Sequence, residues 1–564
     1  MKPAIFILGA SALPLAKTIR HEVVGEIHGP KGLSGIDVNF DKATDAIAQA
    51  FLQGRVVFGI CAAAILIRSV GHLLRNKHGE PPVIAVSEDG AMVVPLLGGH
   101  HGGNDLARKI ATALQGTAAV TTASDVIFGE SFDEPEGGYT LGNPEHMKAA
   151  TAAKLRGETV EVVKTIHNEK GSERRIILHP QVLTIGIGCE RGTDPDEVRN
   201  LIKSTLEKSN LSPNAVADYA SIDLKEDEEA LSQFPNVTFF AAEELAAQSG
   251  KIASPSAYVE ETVGTPSVAE AAALAAAGPE SKLIVTKTKS KRATLAIAQA
   301  PAPILHVTGR RRGLVSVVGI GPGDCRTRSP EVTFQLDVAT DWVGYGLYLD
   351  LAADVHTSQA EHRFPLGDEE ARCRHAIALA KQGKRVALVC SGDAGIYAMA
   401  ALVYELIDRE PCRIAVEVHP GISAFQAASA RAGAMIGHDF CCISLSDLLT
   451  PWEVIEKRLK AAAEGDFVIS FYNPRSLKRR DQLERAFAIL KDHRPADTPV
   501  VIASNLGRPE EKTRIVRFAD FNPDEVDMLT LVMVGSSQSK SFRRGDGRTY
   551  AYTPRGYAKK MDQR

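Results

Sequence analysis

The sequence predicts a multidomain α/β protein, and three observations carry that expectation. At 564 residues the chain is too long for one hydrophobic core and should divide into about three or four domains. Short Val/Ile-rich runs alternate with alanine-rich amphipathic stretches almost throughout, which is the rhythm of βα units and mainly parallel sheets. In the C-terminal half, five apolar runs each end in a glycine-rich or polar turn.

Composition narrows the class. With 44% apolar and 24% charged residues the chain is globular rather than disordered or fibrous. A net charge of −4 removes the usual electrostatic argument for a nucleic-acid partner. No apolar run reaches the length needed to cross a bilayer. The opening MKPAIFILGASALPLAK reads as a β-strand entering a glycine turn rather than a signal peptide, because the apolar stretch is short and broken by Gly9 and Pro14. The eight cysteines show no CxxC pairing and no metal-ligand rhythm, so we expect buried free thiols in a reducing cytoplasm and no metal site.

Along the N-terminal half, a strand ends near Gly59, a helix carries Arg68, and a strand runs to Val86. A further strand closes on Gly98-Gly99-His100. The turn GGHHGGND opens a helix and would expose backbone N–H groups toward an anion; a plain histidine-containing turn is the alternative. Two adjacent histidines without a cysteine or third ligand argue against zinc. Apolar periodicity weakens from about Glu130 to Arg175. A second seam falls at His306–Gly313, where Arg310–Arg312 read as a solvated linker, with a phosphate-binding patch as the alternative.

In the C-terminal half, LVSVVGIGPGD places a strand directly before Gly319, Gly321, Pro322, Gly323 and Asp324. The spacing departs from G-x-G-x-x-G, and no acidic residue ends the following strand, so a nicotinamide site is a poor fit. RVALVCSGDAGIYAMAALV is a buried strand, then Ser391-Gly392-Asp393, then a helix opening near Gly395. Asp393 is either a ligand-facing carboxylate or a helix N-cap. AVEVHPGISAFQAASARAG, DFVISFYNPRS and VVIASNLGR repeat the strand-loop arrangement. Five such loops in one domain point to a lined crevice.

The segments GIGPGD, SGDAGIYAMA, HPGISAFQAA, LSDLLTPWEVIEKRL, FYNPRS, LVMVGSSQS and TPRGY resemble, in order, the tetrapyrrole methylase family, and within it the precorrin-3B C17-methyltransferases. Ala394 departs from the proline common there. The resemblance covers 313–564 and implies two α/β subdomains with S-adenosyl-L-methionine between them. It places cofactor contacts at Pro322, Gly392, Asp393, Ile396, Ser423, Ala424, Asn473 and Gly507. It also implies methylation of a corrin precursor at carbon 17 with ring contraction, in a homodimer. Contraction needs proton transfers, for which Asp324, His438, Asp439 and His419 are candidates; a structural histidine is the alternative reading for His438 and His419. Arg475 and Arg555 are candidate clamps for substrate carboxylates, against a solvated surface role.

The GHHGGND turn, AVTTASD at 119–125, LTIGIGCERGTD at 183–194, SIDLKEDE and GTPSVAEAAAL resemble the cobalt-precorrin-5A hydrolase family. The resemblance implies an N-terminal domain over 1–135, a shortened middle region over 136–178 and a C-terminal domain over 179–308. Such a hydrolase opens a lactone and releases acetaldehyde, which requires a base and oxyanion donors. His100 is the base candidate, the Gly102 and Gly103 amides are candidate donors, and Arg68, Lys287 and Lys289 are candidate substrate contacts.

The leading expectation is therefore a fused enzyme catalysing neighbouring steps of corrin-ring formation. A second makes the N-terminal half a non-catalytic corrinoid-binding module. A ribosomal RNA methylase on the same fold is disfavoured by the acidic net charge and by LSDLLTPW and TPRGY.

Overall fold

The computed structural model describes residues 2–74, 80–99, 102–121, 138–476 and 480–557. The chain separates into two compact units, Met1–Arg312 and Gly313–Arg564.

The first unit opens with a seven-stranded sheet in the order Val38–Phe40, Glu26–Pro30, Ala4–Ile7, Val57–Ile60, Val83–Val86, Met92–Leu97 and Thr117–Ala118. Neighbours pair in parallel except Val83–Val86 with Met92–Leu97, which is antiparallel. The central strands are buried along their whole length because helices cover both faces. Their period-two alternation feeds two separate cores: Ile5, Ile7, Phe58 and Ile60 on one face, and Ala4, Phe6 and Val57 on the other.

A smaller three-stranded sheet follows, Tyr139–Leu141, Arg175–Pro180 and Glu161–Lys164 in spatial order. The helix Met147–Leu155 buries Met147, Ala150 and Ala153 against its Ile176 and Leu178. The third sheet of this unit is mixed. Its parallel strands Leu183–Cys189, Val216–Ile222 and Val237–Phe240 are flanked by antiparallel Ala293–Gln299 and Arg310–Arg311. The helix Val268–Ala277 is buried from Ala269 onward, and its alanines let it lie close against the Leu183–Cys189 strand.

Arg310 and Arg311 are not a solvated linker. Arg310 is paired with Asp223 and Glu226, and Arg311 with the buried Asp218, so each cation meets an acid and the two residues close the sheet edge.

The second unit opens with a fully parallel sheet in the order Ala360–Phe364, Asp341–Tyr345, Arg385–Cys390, Leu314–Gly319 and Ala415–His419. Its second large sheet runs Phe440–Ser444, Val468–Tyr472, Thr530–Val534, Pro499–Ser504 and Lys512–Arg517. Here the expectation of parallel pairing fails for all but the first two strands. Thr530–Val534 returns from far along the chain and inserts antiparallel between its two neighbours. A hairpin, Lys540–Arg543 with Thr549–Tyr552, pairs with Gly433–Ala434. The protein is thus multidomain α/β, as the alternation of strand and helix patterns implied. Most cysteines are buried or half-buried, but Cys325 is exposed. No described helix is long and apolar enough to cross a membrane.

Candidate functional site

The strand Leu314–Gly319 lies between Arg385–Cys390 and Ala415–His419, all parallel, so their C-terminal ends stand side by side. Ligands of open α/β sheets bind outside such ends. The first two loops are joined by backbone hydrogen bonds: the Gly392 N–H donates to the Gly321 oxygen at 2.8 Å, and the Gly321 N–H to the Gly392 oxygen at 3.1 Å. Asp393 joins the second loop to the third. Its Oδ1 accepts from the Gly395 N–H at 2.8 Å, and its Oδ2 accepts from the Gly421 N–H at 3.1 Å. A Cβ at Gly421 would lie 2.1 Å from the Gly392 oxygen and 2.3 Å from the Gly319 oxygen, so the three backbones meet where only glycine fits.

This arrangement corrects the expected helix start. The helix opens at Ala400, not near Gly395, and Asp393 does not cap it. Tyr397 stands at φ 52°, outside the right-handed helical region, and Asp393 spends its carboxylate on loop amides instead.

Ser423 stands at the N-cap of the helix Ala424–Ala432, with its N–H donating to the Gln426 Oε1 at 2.9 Å. Ile396 and Ala424 pack against the core of the second sheet, which includes Phe425, Val501 and Met533. Two tyrosines complete the join. The Tyr397 hydroxyl donates to the Cys442 oxygen at 2.9 Å and accepts from the Ser444 N–H at 3.2 Å; its ring lies 5.1 Å from that of Tyr472. The Tyr472 hydroxyl accepts from the Phe425 N–H at 3.4 Å, and burial pushes its pKa up, keeping it protonated. Next to it, the Asn473 Nδ2 donates to the Ser444 Oγ at 3.1 Å.

From the other side, the Gly507 N–H donates to Glu511, which pairs with Arg431. Arg508 then reaches back to the first sheet, with Nε 3.3 Å from the Pro322 oxygen and Nη2 3.3 Å from the Ser391 Oγ. The eight residues expected at a cofactor therefore lie in one connected set of loops. Sequence reasoning passed over Arg508, Tyr397 and Tyr472; each adjoins a residue it did single out, Gly507, Ile396 and Asn473.

The acid–base candidates are dispersed. Hydrogen bonds from Arg326 hold the Asp324 carboxyl down at about 2, so it is ionised at neutral pH and, as paired, both a poor acid and a weak base. His438 is exposed, and its Nδ1 faces its own neighbour Asp439 at 2.9 Å. His419 is buried at the end of its strand, with Nδ1 2.8 Å from Glu331. Burial pushes the Cys390 thiol up to about 11, which rules it out as a thiolate nucleophile at neutral pH. Arg475 does not stand free: it donates to the Pro523 oxygen at 2.7 Å and to Asp524 at 2.8 Å. Arg555 is exposed.

In the first unit, Arg68 is exposed on the helix Ala63–Val70. The Gly103 N–H, expected as an oxyanion donor, already donates to the Gly98 oxygen at 3.0 Å; Gly102 immediately precedes the helix Gly103–Leu114. Lys287 is turned inward, with Nζ donating to the Ser254 oxygen at 2.5 Å, whereas Lys289 ends its strand with its side chain exposed. His100 and residues 122–125 of the AVTTASD segment lie outside the described residues. A buried carboxylate missed in the sequence, Glu270, accepts from the Ala253, Ser254 and Lys287 N–H groups at 2.9, 2.9 and 2.8 Å.

Comparison with known proteins agrees with this division. Residues 45–125 match the family model described as Cobalamin synthesis G N-terminal, residues 183–298 Cobalamin synthesis G C-terminus, and residues 314–522 Tetrapyrrole (Corrin/Porphyrin) Methylases. The probable cobalt-factor III C(17)-methyltransferase of Salmonella typhimurium is 44% identical over 244 residues, 43% of this chain and 99% of that relative. The cobalamin biosynthesis protein CobIJ of Mycobacterium tuberculosis is 44% identical over 257 residues, 44% of this chain. The chain spans only 50% of that relative's length. The crystal structure of the methyltransferase CobJ is 40% identical, with a TM-score of 0.40, covering 43% of this chain and 100% of that one.

Proposed function

The chain belongs to the tetrapyrrole methylase family, and from that premise we propose that residues 313–564 transfer a methyl group from S-adenosylmethionine to carbon 17 of precorrin-3B or its cobalt counterpart, with contraction of the ring. The observation that carries this reading is the meeting of five loops from two sheets, tied through Gly321–Gly392, Asp393–Gly421, Tyr397–Ser444, Ser444–Asn473 and Arg508–Pro322. The lining suits such a cofactor. It combines backbone amides, the small residues Ser423 and Ala424, and apolar Pro322 and Ile396, with the Asp393 carboxylate occupied by the Gly395 and Gly421 amides.

When bound, S-adenosylmethionine supplies an electrophilic methyl group on a sulfonium. Transfer of that methyl to a ring carbon requires alignment and exclusion of water more than proton transfer. Asp393 orders the second and third loops against each other, and Arg508 holds the first and second loops to Gly507. Asp324, held ionised by Arg326 on both carboxylate oxygens, is too weak a base to take a proton during ring contraction unless that pairing is broken.

For residues 1–308 the proposal is a lactone hydrolase acting on a later corrin intermediate, supported by the two Cobalamin synthesis G matches. Fusion would then place one product at high effective concentration for the next site. One observation favours a second reading, that this half binds the macrocycle without turnover: the Gly103 amide is already committed to Gly98, leaving one expected oxyanion donor fewer. The same reading includes a homodimer in the cytoplasm.

The test is turnover of the purified chain with S-adenosylmethionine and either macrocycle, followed by mass spectrometry. Gain of one methyl group with ring contraction is expected; no gain on either macrocycle overturns the proposal. Acetaldehyde release from the downstream lactone, lost in His100→Ala, is expected of a hydrolase and absent from a binding module.

A further inference from the structure

Away from these loops, the second unit carries an aromatic and cationic face that the chemistry above does not use. The strands Lys540–Arg543 and Thr549–Tyr552 pair antiparallel, with Lys540 opposite Tyr552 and Phe542 opposite Tyr550. Side chains alternate along a strand, so this register brings Lys540, Phe542, Tyr550 and Tyr552 to one face. Phe542 is 49% exposed and Tyr552 36%. The Phe542 ring lies 5.9 Å from each tyrosine, stacked on Tyr550 and edge-on to Tyr552.

The face borders a groove of about 660 Å³, whose wall adds Arg544 and the Gly433–Ala434 backbone. Lys540, Arg543, Arg544 and Arg548 are all exposed, and none is in an ion pair among the described residues. The hairpin's one acidic residue, Asp546, accepts the Arg548 N–H at its turn.

Rings flanked by unpaired cations recognise a flat conjugated ligand with carboxylates around its edge: the rings take the face and the cations the rim. A second copy of this chain fits less well, because a twofold contact would set the cations against themselves. A nucleic-acid strand would find cations here, but the chain as a whole carries −4.

We propose that this hairpin face is a docking site for a polycarboxylated tetrapyrrole, separate from the cofactor loops. The nine-residue helix Ala424–Ala432 runs between Ser423 and Gly433, setting the groove about 14 Å from the loops along the helix at 1.5 Å per residue. The ligand class rests on the methyl-transfer reading.

The experiment uses uroporphyrin, a stable tetrapyrrole octacarboxylate, titrated into the full chain and followed by fluorescence anisotropy. Binding is expected that weakens with salt and drops at least tenfold in Phe542→Ala/Tyr552→Ala and in Arg544→Glu, with S-adenosylmethionine affinity unchanged. Arg544 is exposed, so that variant keeps the test valid if the aromatic one fails to fold. Unaltered binding in the variants overturns the proposal. So does displacement of the porphyrin by a thymidine oligonucleotide at lower concentration, or self-association that the variants abolish. Because binding is read without turnover, failure here is distinct from a wild-type chain that transfers no methyl group.

Discussion

Gly323 and Gly507 approach so closely that a Cβ on Gly323 would lie 2.8 Å from the Gly507 oxygen. One on Gly507 would lie 2.8 Å from the Asp324 nitrogen. Gly507 also stands at φ 68°, a conformation that costs other residues roughly 1–2 kcal/mol. Gly507→Ala must therefore part the first and fifth loops. We expect S-adenosylmethionine affinity, measured by calorimetry, to fall at least tenfold, about 1.4 kcal/mol. Gly346→Ala, where the nearest atom is 3.6 Å away, is the control and should bind normally. Equal affinity in both variants would mean that the two loops are not coupled at the cofactor.

His28 sets a pH dependence in the first unit. Burial, then the nearby Arg55, lowers its pKa from 6.5 to about 4, and its ring lies 4.8 Å from Phe6. Below pH 6.5 the unfolded chain takes up a proton that the folded chain refuses until about pH 4. Stability is therefore lost as pH falls through that window, by up to roughly 3 kcal/mol. Hydrogen exchange in the Ala4–Ile7 and Glu26–Pro30 strands should accelerate between pH 6.5 and 4 after correction for intrinsic rates. His28→Gln should flatten that change; identical acid sensitivity in the variant would assign it to other groups.

Glu270 is fully buried and satisfied by three backbone N–H groups. Glu270→Gln keeps the shape but turns an amide NH₂ toward at least one of those donors. A buried charged hydrogen bond is lost and a donor left unmet, a cost of roughly 3 kcal/mol. Urea unfolding of the first unit should shift to lower midpoint by a corresponding amount, whereas Glu280→Gln, on an exposed turn, should leave it in place. No shift in Glu270→Gln would show that the 253–254 loop does not depend on this carboxylate.

Much of the layout is legible because it is local. The strands ending at Ile60, Val86, Gly319 and Cys390 follow from buried apolar runs cut by glycine or polar turns, and the eight expected cofactor residues sit on or directly beside such turns. What escapes depends on distant pairing. Nothing near Thr530–Val534 announces that it inserts antiparallel between Val468–Tyr472 and Pro499–Ser504. Tyr397 carries no sign that it leaves the helical region, so the sequence predicts a helix start five residues before the observed one. Glu270 reads as one charge in an alanine-rich helix until the 253–254 loop and Lys287 arrive to bury it. Arg310 and Arg311 look solvated until Asp218, Asp223 and Glu226 are brought beside them.

Arg508 shows the same limit at the site itself, since its partner Pro322 lies 186 residues away in sequence. Its guanidinium touches the first and second loops but, at 3.3 Å, holds each only weakly. It is a positioning residue, and its loss should loosen the cleft without removing a reacting group. Arg508→Ala should raise KM for S-adenosylmethionine several-fold more than it lowers kcat, because ordering of the cofactor loops precedes chemistry. Arg508→Lys keeps the charge but loses the planar fork that spans two acceptors, so it should restore only part of the affinity. A fall in kcat at constant KM would instead place Arg508 against the reacting atoms, and full rescue by lysine would reduce its role to charge alone.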